Sequence, residues 1–513
     1  MSKRNRRGFL ADVGRGMLVA SVGPALAGDL GLAPVFAADG PDRLTFGQRE
    51  PLVALMQDTA APRLLPIVVE KMKGGTTLEE LVAAAALANA RTFGGQDYTG
   101  YHAFMALMPA YHMARELPAE QRPLPILKVL YRNSNRMQEQ GGSTREVLHP
   151  VAAAQVPEAR PGGEALRAAT RQGDMQGAER LFAGLVHRSV DDAFNDLQLS
   201  IEDEIDVHRV VLAWRAWAVL DLAGKEQAQT LLRQSVRFCV DEDRGRRNSE
   251  PEIRRVLPKL LDQYRLVGRP LGKRPVEDSR IVHLADIVYG PNRARAAEAV
   301  AAALAEGMPP EAVAEAISLA ANRLVLGDPG RSKAEVQPGK PEGSVHGASV
   351  GVHASDAANA WRNIARVSNP RNTVASLIVA GYHTAGQSGG QLKQIHPLPE
   401  QMEKIRTRDQ QGLLRQTEAA IREKDQARAC ALVQRYGELG HPPRPVFDLL
   451  LRYAISQDGA LHAEKYYRTV SEEFAAARPA FRWRQLVALA RVTASEYGFP
   501  APGYREACRL LKV

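Results

Sequence analysis

TLEELVAAAALANAR, residues 77–91, returns 232 residues later as PEAVAEAISLAANR, residues 310–323. Neither stretch has a glycine or an internal proline, and alanine loses no side-chain entropy in a helix. Thr76-Thr77 ahead of the first stretch supplies a cap. The pair therefore argues for a helical chain with an internal repeat.

Further matches follow in the same order. YHAFMALMPAYHMAR (101–115) pairs with VHASDAANAWRNIAR (352–366), and GGSTREVLHP (141–150) with GGQLKQIHP (389–397). AATRQGDMQGAERL (168–181) pairs with AAIREKDQARACAL (419–432), and EDEIDVH (202–208) with SQDGALH (456–462). The displacement lies between 232 and 254 residues throughout, and a Gly/Pro-rich insertion from Gly327 to Gly343 makes the largest step. Two related halves are expected, 38–268 and 269–513, joined by the basic, proline-containing stretch near 268–276. Val/Ile/Thr alternation is rare, so strands should be few or absent. The expected fold is all-α, two duplicated multi-helix halves arranged as a solenoid or about a pseudo-two-fold axis.

The composition fits a folded chain: 513 residues, 45% hydrophobic and 24% charged. It excludes disorder as the dominant state. Beyond residue 40 no apolar run is long enough to cross a membrane. Cys239, Cys430 and Cys508 are far apart and form no C-x-x-C pair, which excludes a cysteine-held iron–sulfur cluster and covalent c-type haem within this chain.

The first residues read as an address. Arg6-Arg7-Gly8-Phe9-Leu10 resembles a twin-arginine export signal, with Val35-Phe36-Ala37 placing cleavage after Ala37. Residues 1–37 are thus a signal peptide, its partner the twin-arginine translocase, and the mature protein is exported to the periplasm or beyond. That route carries folded proteins, often with a cofactor in place. The net charge of +9 falls to +6 once the leader is removed. The basic stretches 244–247 and 254–274 lack interleaved stacking aromatics, so no nucleic-acid partner is expected.

Six of the twelve histidines form three pairs at equivalent places in the two halves: His102 with His353, His149 with His396, His208 with His462. Neutral imidazole is a common ligand for metals and the usual proton shuttle. Glu204 precedes His208 by four residues and Asp458 precedes His462 by four, a spacing that shares a face if both lie on a helix. Three histidines and a carboxylate per half make a nitrogen/oxygen set suited to iron, manganese or zinc. Two such sites can also meet at a pseudo-two-fold axis. The plainer alternative makes His149 and His396 loop residues before proline, and the acid–histidine pairs surface contacts. His112, His346 and His383 occur in one half only and would make two sites unequal. His187, His283 and His441 read as incidental. Asn359 is a candidate buried polar group near His353, and Tyr98, Tyr101, Tyr111 and Trp361 can line a pocket.

VHASDAANAWRNIAR, Asp458 to His462, and RWRQLVALARVTASEYG (482–498) resemble an uncharacterised all-helical domain found with Rieske-type 2Fe–2S proteins and akin to questin oxidase-like proteins. The resemblance lies mostly in the second half. It implies a helical fold and an oxygen-dependent oxidative activity, with His353, Asn359, Asp458 and His462 as site residues. The Rieske cysteine–histidine pairs are missing from this chain. The expectation is an exported helical protein with a histidine/carboxylate metal site, of oxidoreductase type. Its rival is a non-catalytic helical-repeat scaffold or binding protein whose small-molecule or protein ligand the sequence does not identify.

Overall fold

The structure, a computed structural model, describes residues 43–157, 160–245, 250–337, 340–345, 349–388 and 394–513. The expected signal peptide, His346 and Gly389-Gly390 lie outside the described residues. Among those described the chain is all-α, and its β pairing is confined to two isolated bridges, Gln337 with Lys340 and Gln457 with Pro500. No helix is long and apolar enough to cross a membrane among the described residues. All three cysteines are free thiols.

The first half holds α1 (Glu50–Asp58), α2 (Ala61–Lys73), α3 (Leu78–Phe93), α4 (Tyr98–Arg115), α5 (Pro123–Glu139), α6 (Gly162–Gln172), α7 (Met175–Arg188), α8 (Val190–Ile201), α9 (Val207–Ala218), α10 (Ala228–Gly245) and α11 (Ile253–Gln263). The second holds α12 (Asp278–Tyr289), α13 (Arg293–Ala305), α14 (Pro310–Gly327), α15 (Val350–Val367), α16 (Pro370–Thr384), α17 (Pro399–Lys404), α18 (Gln410–Arg422), α19 (Gln426–Glu438), α20 (Arg444–Ser456), α21 (His462–Ala476), α22 (Trp483–Glu496) and α23 (Tyr504–Leu511).

The repeated alanine-rich stretches are α3 and α14. Thr77 opens α3 with a capping box: its hydroxyl accepts from the Glu80 amide at 3.2 Å, and the Glu80 carboxylate accepts from the Thr77 amide at 2.8 Å. From Leu81 to Phe93 every residue of α3 is buried, and α14 is buried over most of its length. Small side chains let neighbours approach on all sides. α3 packs against α1, α4, α5 and α10; α14 packs against α12, α15, α16 and α22.

Contacts across the middle of the chain are equally matched. α4 packs on α21, and α15 on α9. The last helix of each half leaves its own half: α11 packs on α13 and α16, and α23 on α2 and α5. A buried ion pair bridges the same boundary. Lys128 of α5 donates to the Ala454 and Gln457 carbonyls at 2.7 and 2.8 Å, and pairs with Glu464 of α21 at 2.7 Å. Both side chains are buried, so the pair holds only while each partner is present.

Lys128→Met leaves the buried Glu464 carboxyl without its cation. Denaturant titration should show a loss of about 3–5 kcal/mol, most of it recovered when Glu464→Leu is added. Equal stability of the single variant and the wild type would show that the pair does not hold the halves together.

Candidate functional site

Helices α4, α9, α15 and α21 pack in a closed cycle, each against the next and α21 against α4. Each carries a histidine close to its N-terminus: His102 on α4, His208 on α9, His353 on α15 and His462 at the start of α21. The imidazoles repeat the cycle of the helices. Ring centroids are 4.8 Å apart for His102–His208, 5.7 Å for His208–His353, 5.4 Å for His353–His462 and 4.9 Å for His462–His102. Two histidines come from each half. His102 is 2% exposed and His462 5%.

Local structure explains how each ring reaches the centre. Asp97 caps α4 by accepting from the Gly100 amide at 2.7 Å, Asp206 caps α9 by accepting from the Arg209 amide at 2.9 Å, and Ser349 caps α15 by accepting from the Val352 amide at 3.1 Å. Glycine stands two residues before a histidine in both halves, at Gly100 and Gly351. A Cβ on Gly100 would lie 2.5 Å from the Phe93 ring, and one on Gly351 2.5 Å from the Val325 amide. Only glycine lets α4 and α15 lie this close to α3 and α14. Before His462 the chain passes through two left-handed residues, Ala460 (φ 47°) and Leu461 (φ 68°). Such residues cost roughly 1–3 kcal/mol each and persist only where surroundings fix them. Here Asp458 does so: its Oδ1 accepts from the Ala460 amide at 3.0 Å, its own amide donates to Phe499 at 2.6 Å, and its carboxylate pairs with Arg132 of the first half.

The ring nitrogens divide by role. His102 Nδ1–H donates to the Tyr98 carbonyl at 2.7 Å, and His462 Nδ1–H donates to the Ala460 carbonyl at 3.1 Å. A carbonyl only accepts, so the proton is assigned to Nδ1 and the lone pair to Nε2 in both rings. His208 Nδ1 lies 3.5 Å from Asp206 Oδ1. Nε2 of His102 and of His208 are buried with no hydrogen-bond partner, while Nε2 of His353 and His462 face each other at 3.3 Å. Tyr98 and Tyr101 wall this side, their rings 4.4 and 5.0 Å from that of His102.

Burial keeps His102, His353 and the neighbouring His383 neutral. Burial, reinforced by Lys465 and His208, drives the His102 imidazole far below its ordinary range. Burial and Lys465 push His353 down to about 3, and burial takes the neighbouring His383 to about 4. Burial raises the Asp206 carboxyl, but its hydrogen bond to His208 and the charge there prevail and hold it at about 2. Burial also brings the Lys465 ammonium down to about 8, against the opposing pull of Asp356. Asp356 accepts from the Thr469 hydroxyl at 2.9 Å.

The other expected site residues lie elsewhere. His149 is exposed, and its carbonyl accepts from Arg233. His396 lines a separate cavity of about 520 Å³ with Asn322, Arg323 and Arg484. Asn359 lies below His353 on α15, where its amide donates to Glu473 at 2.9 Å. The shared helix face expected of Glu204 with His208, and of Asp458 with His462, does not form, because α9 begins at Val207 and α21 at His462. Glu204 sits in the preceding turn, its Oε1 accepting from the Ile205 amide at 2.9 Å, and Asp458 fixes the turn that presents His462. One joint ring thus takes the place of a three-histidine, one-carboxylate set in each half. Sequence reasoning missed Asp206, Asp356, Lys465 and the glycine pair. The signals were an Asp–x–His at a helix start and a G-x-H that recurs at Gly100 and Gly351.

Among the described residues, no group of three or more His, Cys, Asp or Glu side chains is placed so that it could hold a metal ion as it stands. No protein-family model, curated protein or solved structure matches the chain.

The ring predicts acid sensitivity. Imidazoles of the unfolded chain take up protons near pH 6.5, whereas His353 and His383 stay neutral in the fold down to about 3 and 4. The unfolded state therefore binds more protons below pH 6.5, and stability falls as pH drops through that range. Melting temperatures measured with a chelator present should decline from pH 7 to 5, and less steeply in His353→Gln. A profile as steep in the variant would remove His353 as a source of the effect.

Proposed function

We propose that His102, His208, His353 and His462 together hold one transition-metal ion at the seam of two duplicated halves, in an exported protein with oxidoreductase chemistry. The observation that carries this reading is the closed ring of four imidazoles, His102 and His462 buried and His208 and His353 partly so, in which the Nε2 atoms of His102 and His208 have no hydrogen-bond partner among the described residues. Metal–nitrogen bonds of about 2.0–2.1 Å put neighbouring imidazole centroids on one ion about 5 Å apart, the spacing found here. Bringing all four donors onto one ion calls for ring rotations within the buried cluster. The Nδ1 contacts to Tyr98, Ala460 and Asp206 are the outer interactions that orient metal-binding histidines.

An all-imidazole set suits iron or zinc better than manganese, which favours carboxylate oxygen. Zinc with four histidines would be a closed structural site; iron would keep positions for oxygen or substrate and supply the redox chemistry. Asp206 orients His208, and the Tyr98 and Tyr101 rings shield one side from water. The resemblance through His353 and His462 supports the oxidative reading. The matched helix pairings support the duplication into 38–268 and 269–513. Export by the twin-arginine route agrees with a site assembled from both halves, which exists only after folding. A scaffold would leave the recurring histidines scattered, as His149 and His396 are, without gathering the other four.

Elemental analysis of mature protein, purified without a histidine tag, should find about one transition metal per chain. Because the ring draws on both halves, His102→Ala/His208→Ala and His353→Ala/His462→Ala should each abolish it. A folded, metal-free wild type would overturn the proposal, as would a metal retained by either double variant.

A further inference from the structure

The four helices that carry the histidines also build a cavity. Met108 and His112 of α4, Trp214 to Ala218 of α9, Asn363 to Val367 of α15, and Arg468 to Ala476 of α21 contribute to its walls. All of these lie C-terminal to the histidine of their helix, so the helices run in one direction from ring to cavity. Its volume, about 710 Å³, is that of a small-molecule site.

Arg366 is held by Glu311, with 2.7 and 2.9 Å contacts. Glu472 pairs with Arg468 at 2.7 Å and accepts from the Asn363 amide at 2.9 Å, and its charge also attracts Arg215. Arg215 is 4% exposed, its side chain makes no hydrogen bond or close ion pair among the described residues, and its Nε is a buried donor with no partner there. The adjacent Trp214 Nε1 is likewise buried and unsatisfied. A guanidinium keeps its charge at any ordinary pH, and burial without a partner costs several kcal/mol. Arg215, Trp214 and Trp217 thus line a space large enough for a ligand.

We propose that this cavity binds an organic carboxylate, its carboxyl group on Arg215 and its apolar body against Trp214 and Trp217. The guanidinium fork matches a carboxylate in geometry as well as charge. The indole Nε1 adds a further donor, and Asp221 and Arg366 stand at the exposed rim. The proposal stands whether or not the histidine ring holds a metal.

The test is calorimetric titration of the full mature chain with 4-nitrobenzoate and octanoate, each beside its uncharged amide. At least one acid should bind saturably, and about tenfold or more tighter than its amide, as a charge-assisted hydrogen bond to a buried partner requires. Arg215→Gln should erase that preference while the variant still melts cooperatively as a folded protein. Ser471→Asp, on the cavity wall, removes no buried group and puts a competing carboxylate there. It should weaken the acid about tenfold and leave the amide unchanged. The proposal is overturned if neither acid binds, if acid and amide bind alike, or if either variant binds the acid as the wild type does.

Discussion

Four helix N-termini meet at one buried place, and the rest of the architecture follows from what can be put between them. Each N-terminus carries the positive end of a helix dipole, and Lys465 adds a buried cation close by. Protonated side chains are unwelcome there, and a neutral imidazole is not. It fills volume, donates through Nδ1 to a carbonyl within its own turn, and keeps a lone pair on Nε2. The contacts of α4 with α21 and of α9 with α15 cross from one half to the other. The ring therefore lies at the junction of the halves, and neither half alone builds its four walls. A cation in the ring would have to offset the dipole ends and Lys465. The near groups able to help are Asp206, firmly ionised beside His208, and Asp356 on the turn below His353.

Much of this was legible in the sequence, and the part that was not has a physical cause. Alanine-rich runs without breakers gave the helices. The repeated blocks picked out His102, His208, His353 and His462 through neighbours that are helix residues in both halves. Spacing within one stretch says nothing, however, about which helices meet across the chain, so the ring was read as two sets where the packing makes one. Glu204 and Asp458 show a second limit. An i, i+4 rule presumes a helix that has already begun, but both acids sit in the turn before it. There the work falls to Asp206 in one half and to the Ala460 carbonyl in the other. The equivalent of a carboxylate is a backbone oxygen, and no side-chain motif can announce that. His149 and His396 are not gathered with the other four: one is exposed and the other lines a separate cavity.

The halves are matched in their pairings but not in their chemistry, and the difference has a direction. His208 is backed by a charged carboxylate, His462 by a neutral carbonyl held in a strained turn. A charged acceptor strengthens the basicity of its imidazole more than a neutral one. The first half thus offers the stronger donor. The second half contributes Asp356 and Lys465, which set the field of the ring without entering it.

Both ends of the four-helix cycle are now accounted for by one scale of energies. Arg215 and Arg366 fall in the last turns of α9 and α15, where a cation complements the negative end of a helix dipole. That effect is worth about 0.3–1 kcal/mol at an exposed site, and Arg366, exposed and paired with Glu311, is explained by it. Arg215 is not. Burial of a guanidinium with no hydrogen-bonding partner costs several kcal/mol, more than the dipole returns. A residue that destabilises the empty fold by that margin is accounted for by what it meets when the cavity is filled. The same four helices then present imidazole nitrogens at one end and a guanidinium without a hydrogen-bond partner among the described residues at the other. A ligand anchored by its carboxyl group on Arg215 would lie along the axis that leads to the histidines.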